Sequence, residues 1–167
     1  MNGLTNKLHR MKNNIIIIVL LSAVALTITL MAVDSGSEEP LVEQKGITIK
    51  LHKSPTCGCC GLYADYLVQQ GYSVDIQQTA DMTLVKENLA VPYELESCHT
   101  SEIDGYVVEG HVPEQAINKL LTDRPDIKGI GMAGMPSGSP GMPGPKEDFE
   151  IFTITHEGVK GELFIVL

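Results

Sequence analysis

Residues Ile47–Gln78 read ITIKLHKSPTCGCCGLYADYLVQQGYSVDIQQ. Alternation of β-branched and aliphatic side chains makes Ile47 to Leu51 a first strand. Ser54-Pro55-Thr56 breaks it. From Cys59 or Cys60 to Gln70, Leu62, Tyr66 and Leu67 recur at helical spacing, and Gly71 is placed to close that helix. Tyr72 to Gln78 alternates again around Val74 and Ile76, which makes a second strand. Three cysteines, Cys57, Cys59 and Cys60, therefore fall where the first strand hands over to the first helix.

Working outward, Asp81 is placed as the N-cap of a short second helix that Val91-Pro92 stops. Two strands follow, around Ser97 to Glu102 and Tyr106 to His111, turned at Asp104-Gly105. Pro113 opens a third helix carrying Ile117, Leu120 and Leu121, which ends near Arg124-Pro125. Lys128 to Pro145 is a Gly/Pro/Ser/Met loop, and Phe149 to Thr155 with Gly161 to Val166 forms a terminal hairpin around Glu157-Gly158. The order β-α-β-α-β-β-α predicts an α/β, thioredoxin-like core with a Met/Gly/Pro loop and a C-terminal β-hairpin. In that layout the helix N-terminus offers partial positive charge and free N–H groups to a cysteine thiolate.

The first third of the chain is of another kind. Lys7, Arg10 and Lys12 precede an uncharged apolar run of 19 residues from Ile15 to Val33. A basic segment before such a run is an export signal, and its length and the bulky Met31 favour a retained anchor over a removed signal peptide. The positive-inside rule then places the rest outside the cytoplasm, attached to the membrane by residues 15–33. Residues 1–33 are thus the anchor or signal, 34–46 a polar tether, and 47–167 the folded domain.

All 21 acidic residues lie after position 33 against nine of the Lys and Arg, a formal charge of −12 for the exported part. That balance argues against nucleic acid and against anionic lipid surfaces as partners.

The cysteine cluster admits three readings. Four cysteines in an exported domain can make two disulfides, but three crowd into one turn, and a local bridge closes almost no loop. A thiol–disulfide oxidoreductase would use Cys57 as the exposed nucleophile and Cys60 as the resolving thiol, with Pro92, or failing that Pro113, as a cis proline opposite them. Cys59 has no evident use in that scheme. The third reading is a soft-metal site, in which clustered thiolates with an imidazole and thioethers suit Cu(I). Zinc is the rival, since Cys57, Cys59 or Cys60, Cys98 and His99 could form a tetrahedral Cys₃His site.

Zinc leaves Met132, Met135 and Met142 unexplained. Methionine is ordinarily a core filler, and the segment could be a plain linker. Here glycines and prolines surround the three thioethers, which suits copper. His99 follows Cys98 directly, so the two point to opposite faces of a regular strand and share a metal only if the strand is irregular. His111 lies at the same rim. His52 and His156 read as surface histidines.

Four stretches, KSPTCGCCGLYADYL, VPYELESCHT, GYVVEGHVP and GMPSGSPGM, occur in order between Lys53 and Met142. Together they resemble the CopG-type family of exported proteins associated with copper resistance in Gram-negative bacteria. The resemblance implies a thioredoxin-like fold, a periplasmic location and copper binding, with a redox role between Cu(I) and Cu(II). Carried over by motif, Cys57, Cys59, Cys60 and Cys98 are the expected copper ligands, with His99, His111 and the loop methionines as nearby candidates. Copper ions are the expected partner, with other periplasmic copper proteins in any hand-off. The apolar run departs from a soluble periplasmic protein and implies attachment to the membrane.

Overall fold

The computed structural model describes residues 45–167. The apolar run Ile15–Val33 and nearly all of the tether lie outside the described residues, and among the described ones no helix is long and apolar enough to cross a membrane. The end of the tether is held to the domain. Lys45 donates its amide to the Gly71 carbonyl at 2.9 Å and its ammonium to Glu114 at 2.5 Å.

Seven strands form one sheet in the order β2-β1-β3-β4-β5-β6-β7. Strand β1 (Thr48–Lys53) leads into helix α1 (Gly58–Gln69) and returns as β2 (Ser73–Gln78), parallel to β1. Gly71, at φ +89°, takes the left-handed turn between them, which the absence of a Cβ permits. Helix α2 (Met82–Asn88) begins where the Asp81 carboxylate accepts from the Leu84 amide at 3.0 Å. A short 3₁₀ turn, Tyr93–Leu95, follows the proline stop.

Strands β3 (His99–Ile103) and β4 (Tyr106–Glu109) pair antiparallel, and β3 also pairs antiparallel with β1. Asp104 and Gly105 both have positive φ, +48° and +89°, as a two-residue type I′ turn demands. Both strands are shorter than their sequence suggested: Ser97 and Cys98 precede β3, and Gly110 and His111 follow β4. Helix α3 is Glu114–Asp123, with Pro113 at its N-cap position and Arg124 ending it in the left-handed region. The β-α-β-α-β-β-α order read from the sequence is present in this mixed α/β core, with β1 and β2 parallel and β3 and β4 antiparallel.

The loop assignment over Lys128 to Pro145 needs correction. Gly129–Gly131 is a strand, β5, parallel to β4 and antiparallel to β6 (Glu150–Ile154). It joins the core to the hairpin of β6 and β7 (Lys160–Val166), so one sheet runs through the whole domain. Three residues, two of them glycine, carry no readable alternation. Glycine is required here, because a Cβ on Gly129 would sit 1.9 Å from the Val107 carbonyl oxygen.

The main core lies between one sheet face and helices α1 and α3. Ile49, Leu51, Ile103, Val108, Ile130 and Ile151 meet Tyr63, Leu67, Ile117 and Leu120 there. Val107, Ile154, Val91 and Leu95 form a smaller cluster on the opposite face. Successive strand residues point to opposite faces, so His99 shares the α1 side with Ser101 and Ile103, while Thr100 and Glu109 face α2.

Candidate metal centre

The four cysteines converge at the N-terminus of α1. Cys57 is its N-cap residue, without a side-chain cap, Cys59 and Cys60 lie in its first turn, and Cys98 approaches from the bend before β3. Cys57 and Cys60 are joined in a disulfide, and Cys59 and Cys98 are free thiols. The cluster is therefore neither a pair of staples nor four free thiols. The Sγ of Cys59 lies 3.5 Å from that of Cys57 and 3.9 Å from that of Cys98, and Cys60 Sγ is 3.5 Å from Cys98 Sγ. All four sulfurs are within 4.8 Å of one another.

Two imidazoles complete this group. His111 Nε2 is 3.0 Å and His99 Nδ1 is 3.5 Å from Cys98 Sγ, and these three donor atoms also lie within 4.8 Å of one another. The strand alternation that separates neighbours does not apply, because Cys98 sits in a bend and only His99 belongs to β3. Both histidines are fully buried. The Tyr63 ring lies 4.5 Å from His99 and 5.4 Å, edge-on, from His111, and its hydroxyl donates to the Val112 carbonyl at 2.8 Å.

Burial, followed by the neighbouring Cys59, pushes the Cys98 thiol up to about 12. Burial likewise holds His99 well below the ordinary imidazole value, helped by His111 and Lys86 nearby. It lowers His111 too, against the hydrogen bond to the Pro140 carbonyl. At neutral pH the centre thus offers neutral imidazoles, the metal-ligating form, beside a thiol that would have to lose its proton to ligate a metal as thiolate.

The three methionines part company. Met135 Sδ is 4.0 Å from Cys59 Sγ, on the exposed side of the cluster. Met132 lies in the apolar core, 1% exposed, and is placed there by β5, which the sequence had not revealed. Met142 is half-buried on the loop, its amide donating to the Ser139 carbonyl. Outside the cluster, His52 pairs with Glu102 and His156 with Asp126. A cleft of about 620 Å³, lined by Tyr93, Glu94, Glu96, Cys98, Gly134 and Met135, opens onto the cluster.

Three supporting features gave no sequence signal. Glu109, fully buried, accepts from the Ser97 amide at 2.6 Å and from the Thr100 hydroxyl at 2.6 Å, and it pairs with buried Lys86 from α2. A carboxylate at the end of a strand looks like an ordinary surface residue. Pro140 and Gly141 were read only as part of a loop, and Tyr63 only as a helix residue.

No cis peptide bond occurs among the described residues, so Pro92 and Pro113 are both trans. The cis proline that the exchange reading called for is not there.

Cysteine sulfurs, imidazoles and a thioether meet in one half-buried group at the start of a helix, a donor set that suits a soft metal. The fold and this centre define a mixed α/β domain with a cysteine cluster compatible with metal binding. Two solved structures of copper resistance protein CopG, Form 2 and Form 1, are similar to it. Each is 38% identical, with TM-scores of 0.67 and 0.66, and the matches cover 72% of this chain and 98% and 96% of those chains. A family model described as a protein of unknown function, DUF411, matches residues 95–142, the segment that carries Cys98, His99 and His111. No match was found among curated protein sequences. The chain belongs to the CopG family of copper resistance proteins.

Proposed function

We propose that this chain is a periplasmic copper-binding protein of copper resistance, held at the inner membrane by residues 15–33. It takes Cu(I) into the cluster of Cys57, Cys59, Cys60 and Cys98, with His99, His111 and Met135 completing the surroundings. The observation that carries this reading is the convergence of four sulfurs within 4.8 Å of one another, beside two neutral imidazoles. Soft thiolates and thioethers select Cu(I) over hard cations, and imidazole accommodates Cu(II) as well. Zinc needs only four donors and has no use for the thioether, so it is the weaker alternative.

The Cys57–Cys60 disulfide bears directly on this role. A disulfide sulfur is not a thiolate, so the oxidised chain keeps only Cys59 and Cys98 as anionic ligands. Reduction supplies two more. The dithiol state is therefore the high-capacity form, and the redox state of the pair sets how much copper the domain holds. Detoxification then proceeds by sequestration, by transfer to other periplasmic copper proteins, or by electron transfer at the bound metal.

A second reading, a thiol–disulfide oxidoreductase, is favoured by the C-x-x-C disulfide at a helix N-terminus. The two readings differ in which cysteines matter. Copper binding requires Cys59 and Cys98, whereas exchange requires Cys57 and Cys60. Copper stoichiometry of Cys59→Ser and Cys98→Ser, set against the rate at which each variant reduces a model disulfide, separates them.

A further inference from the structure

The segment Pro136–Met142 reads in sequence as flexible, yet it is braced from within. Ser139 donates its hydroxyl to the Pro136 carbonyl at 2.7 Å, Ser137 donates to the Pro145 carbonyl at 3.0 Å, and the Gly138 amide donates to Pro143 at 3.2 Å. It lies across the first turn of α1. At Gly141, φ +81°, a Cβ would meet Tyr63 N at 2.8 Å and the Cys59 carbonyl oxygen at 3.0 Å. Both are helix backbone atoms and cannot give way as a side chain would.

One residue earlier, the Pro140 carbonyl oxygen is 2.7 Å from His111 Nδ1. A carbonyl only accepts, so the single proton of the neutral imidazole is on Nδ1. The lone pair of Nε2 is thereby left facing Cys98 Sγ at 3.0 Å. Partners of this kind on the far nitrogen are what orient a ligating histidine and fix its tautomer.

We infer that Pro136–Met142 is a positioning strap for His111: Gly141 seats it on α1, and the Pro140 carbonyl holds the imidazole as the Nδ1–H tautomer with Nε2 turned to Cys98. The tautomer stands on the geometry alone, while its consequence for copper rests on the function proposed above. Gly141 is a positioning residue and touches no metal donor through a side chain. The geometry also explains why this loop is rich in glycine and proline without being a linker. Gly141 must approach helix backbone closely, and the flanking prolines restrict the strap to one path.

Two-bond ¹H–¹⁵N correlation spectra of the ¹⁵N-labelled, metal-free full chain test this directly. The expected wild-type pattern is a single Nδ1–H tautomer at His111, and an Nε2–H pattern would overturn the inference without any variant. In Gly141→Ala the pattern is expected to shift towards Nε2–H or to average. Cu(I) affinity of the reduced chain, measured against a competing chelator, is expected to fall about 10- to 100-fold. Gly105→Ala serves as the control. It carries the same left-handed backbone demand in a distant turn with open space around it, and both readouts are expected to stay at wild type. Gly141→Ala retaining the Nδ1–H pattern and wild-type affinity would refute the strap. If no form of the chain binds copper, the copper reading fails, and the tautomer comparison still decides the strap.

Discussion

Cys98 Sγ stands 3.0 Å from His111 Nε2, although the two residues are carried on different strand ends and 13 positions apart. The bend before β3 and the bend after β4 bring them together, because the antiparallel pair sets Thr100 opposite Glu109 and so places both bends at one rim. This thiol–imidazole pair links the cysteine cluster to the histidines. Under the function proposed above, copper that takes Cys98 as thiolate would release its proton.

Copper affinity is expected to rise with pH. Cys98 holds its proton up to about 12 in the metal-free protein, chiefly because it is buried. Each copper that takes this sulfur as thiolate must displace that proton, so affinity gains about tenfold per pH unit for it over pH 6 to 8. Competition titrations at pH 6, 7 and 8 measure the slope. A flat profile would mean that Cys98 stays protonated and is not a ligand.

Acid is expected to destabilise the fold through His99. Its folded value is depressed well below the ordinary 6.5 by burial, so the unfolded chain binds the proton first as pH falls. The stabilisation is fully present above the unfolded value and is lost progressively as pH drops from there towards the folded one. The slope is on the order of 1.4 kcal/mol per pH unit. Urea denaturation of His99→Phe, which keeps a ring against Tyr63, should lack this component between pH 6.5 and 5.

The buried Lys86–Glu109 pair is expected to behave asymmetrically. Lys86→Met leaves a fully buried carboxylate without its cation and should cost about 3–5 kcal/mol. The double variant Lys86→Met/Glu109→Leu removes both charges and should recover much of that loss, leaving the Ser97 amide and the Thr100 hydroxyl without their acceptor as the remaining penalty. Denaturant midpoints of the single and double variants give the coupling. If the single and double losses are equal, the pair carries no such coupling.

The sequence made the β-α-β opening legible for definite physical reasons. Alternation marked β1 and β2, Asp81 marked the start of α2, and Asp104-Gly105 marked the hairpin turn. Strand β5 was illegible because Gly129-Ile130-Gly131 is too short to show a period, and its glycines answer to residues distant in sequence, Gly129 to the Val107 backbone and Gly131 to the Leu95 and Glu109 side chains. That omission left Met132 apparently in a loop, when β5 delivers it to the core. Crowding of Cys57, Cys59 and Cys60 was readable from spacing alone. Their nearness to Cys98 comes from the pairing of β1 with β3, and the bend that lets Cys98 and His99 lie side by side is a departure from strand geometry that residue type does not announce. The seating of Gly141 on α1 is a matter of tertiary contact and leaves no local pattern.

Oxidation state is expected to gate capacity. With the Cys57–Cys60 disulfide intact, the chain should bind fewer Cu(I) ions than after reduction, because two of four thiolates are withdrawn. Anaerobic titrations of the oxidised and the reduced protein report the difference. Equal stoichiometry in both forms would exclude Cys57 and Cys60 from the ligand set.

The most direct test of the central claim is an anaerobic Cu(I) titration of the reduced full chain against a competing chelator, run beside Cys59→Ser and Cys98→Ser. The account predicts tight binding by the wild type and its loss, by at least about a hundredfold in affinity, in both variants. Wild-type protein that binds Cu(I) no better than either variant would contradict it.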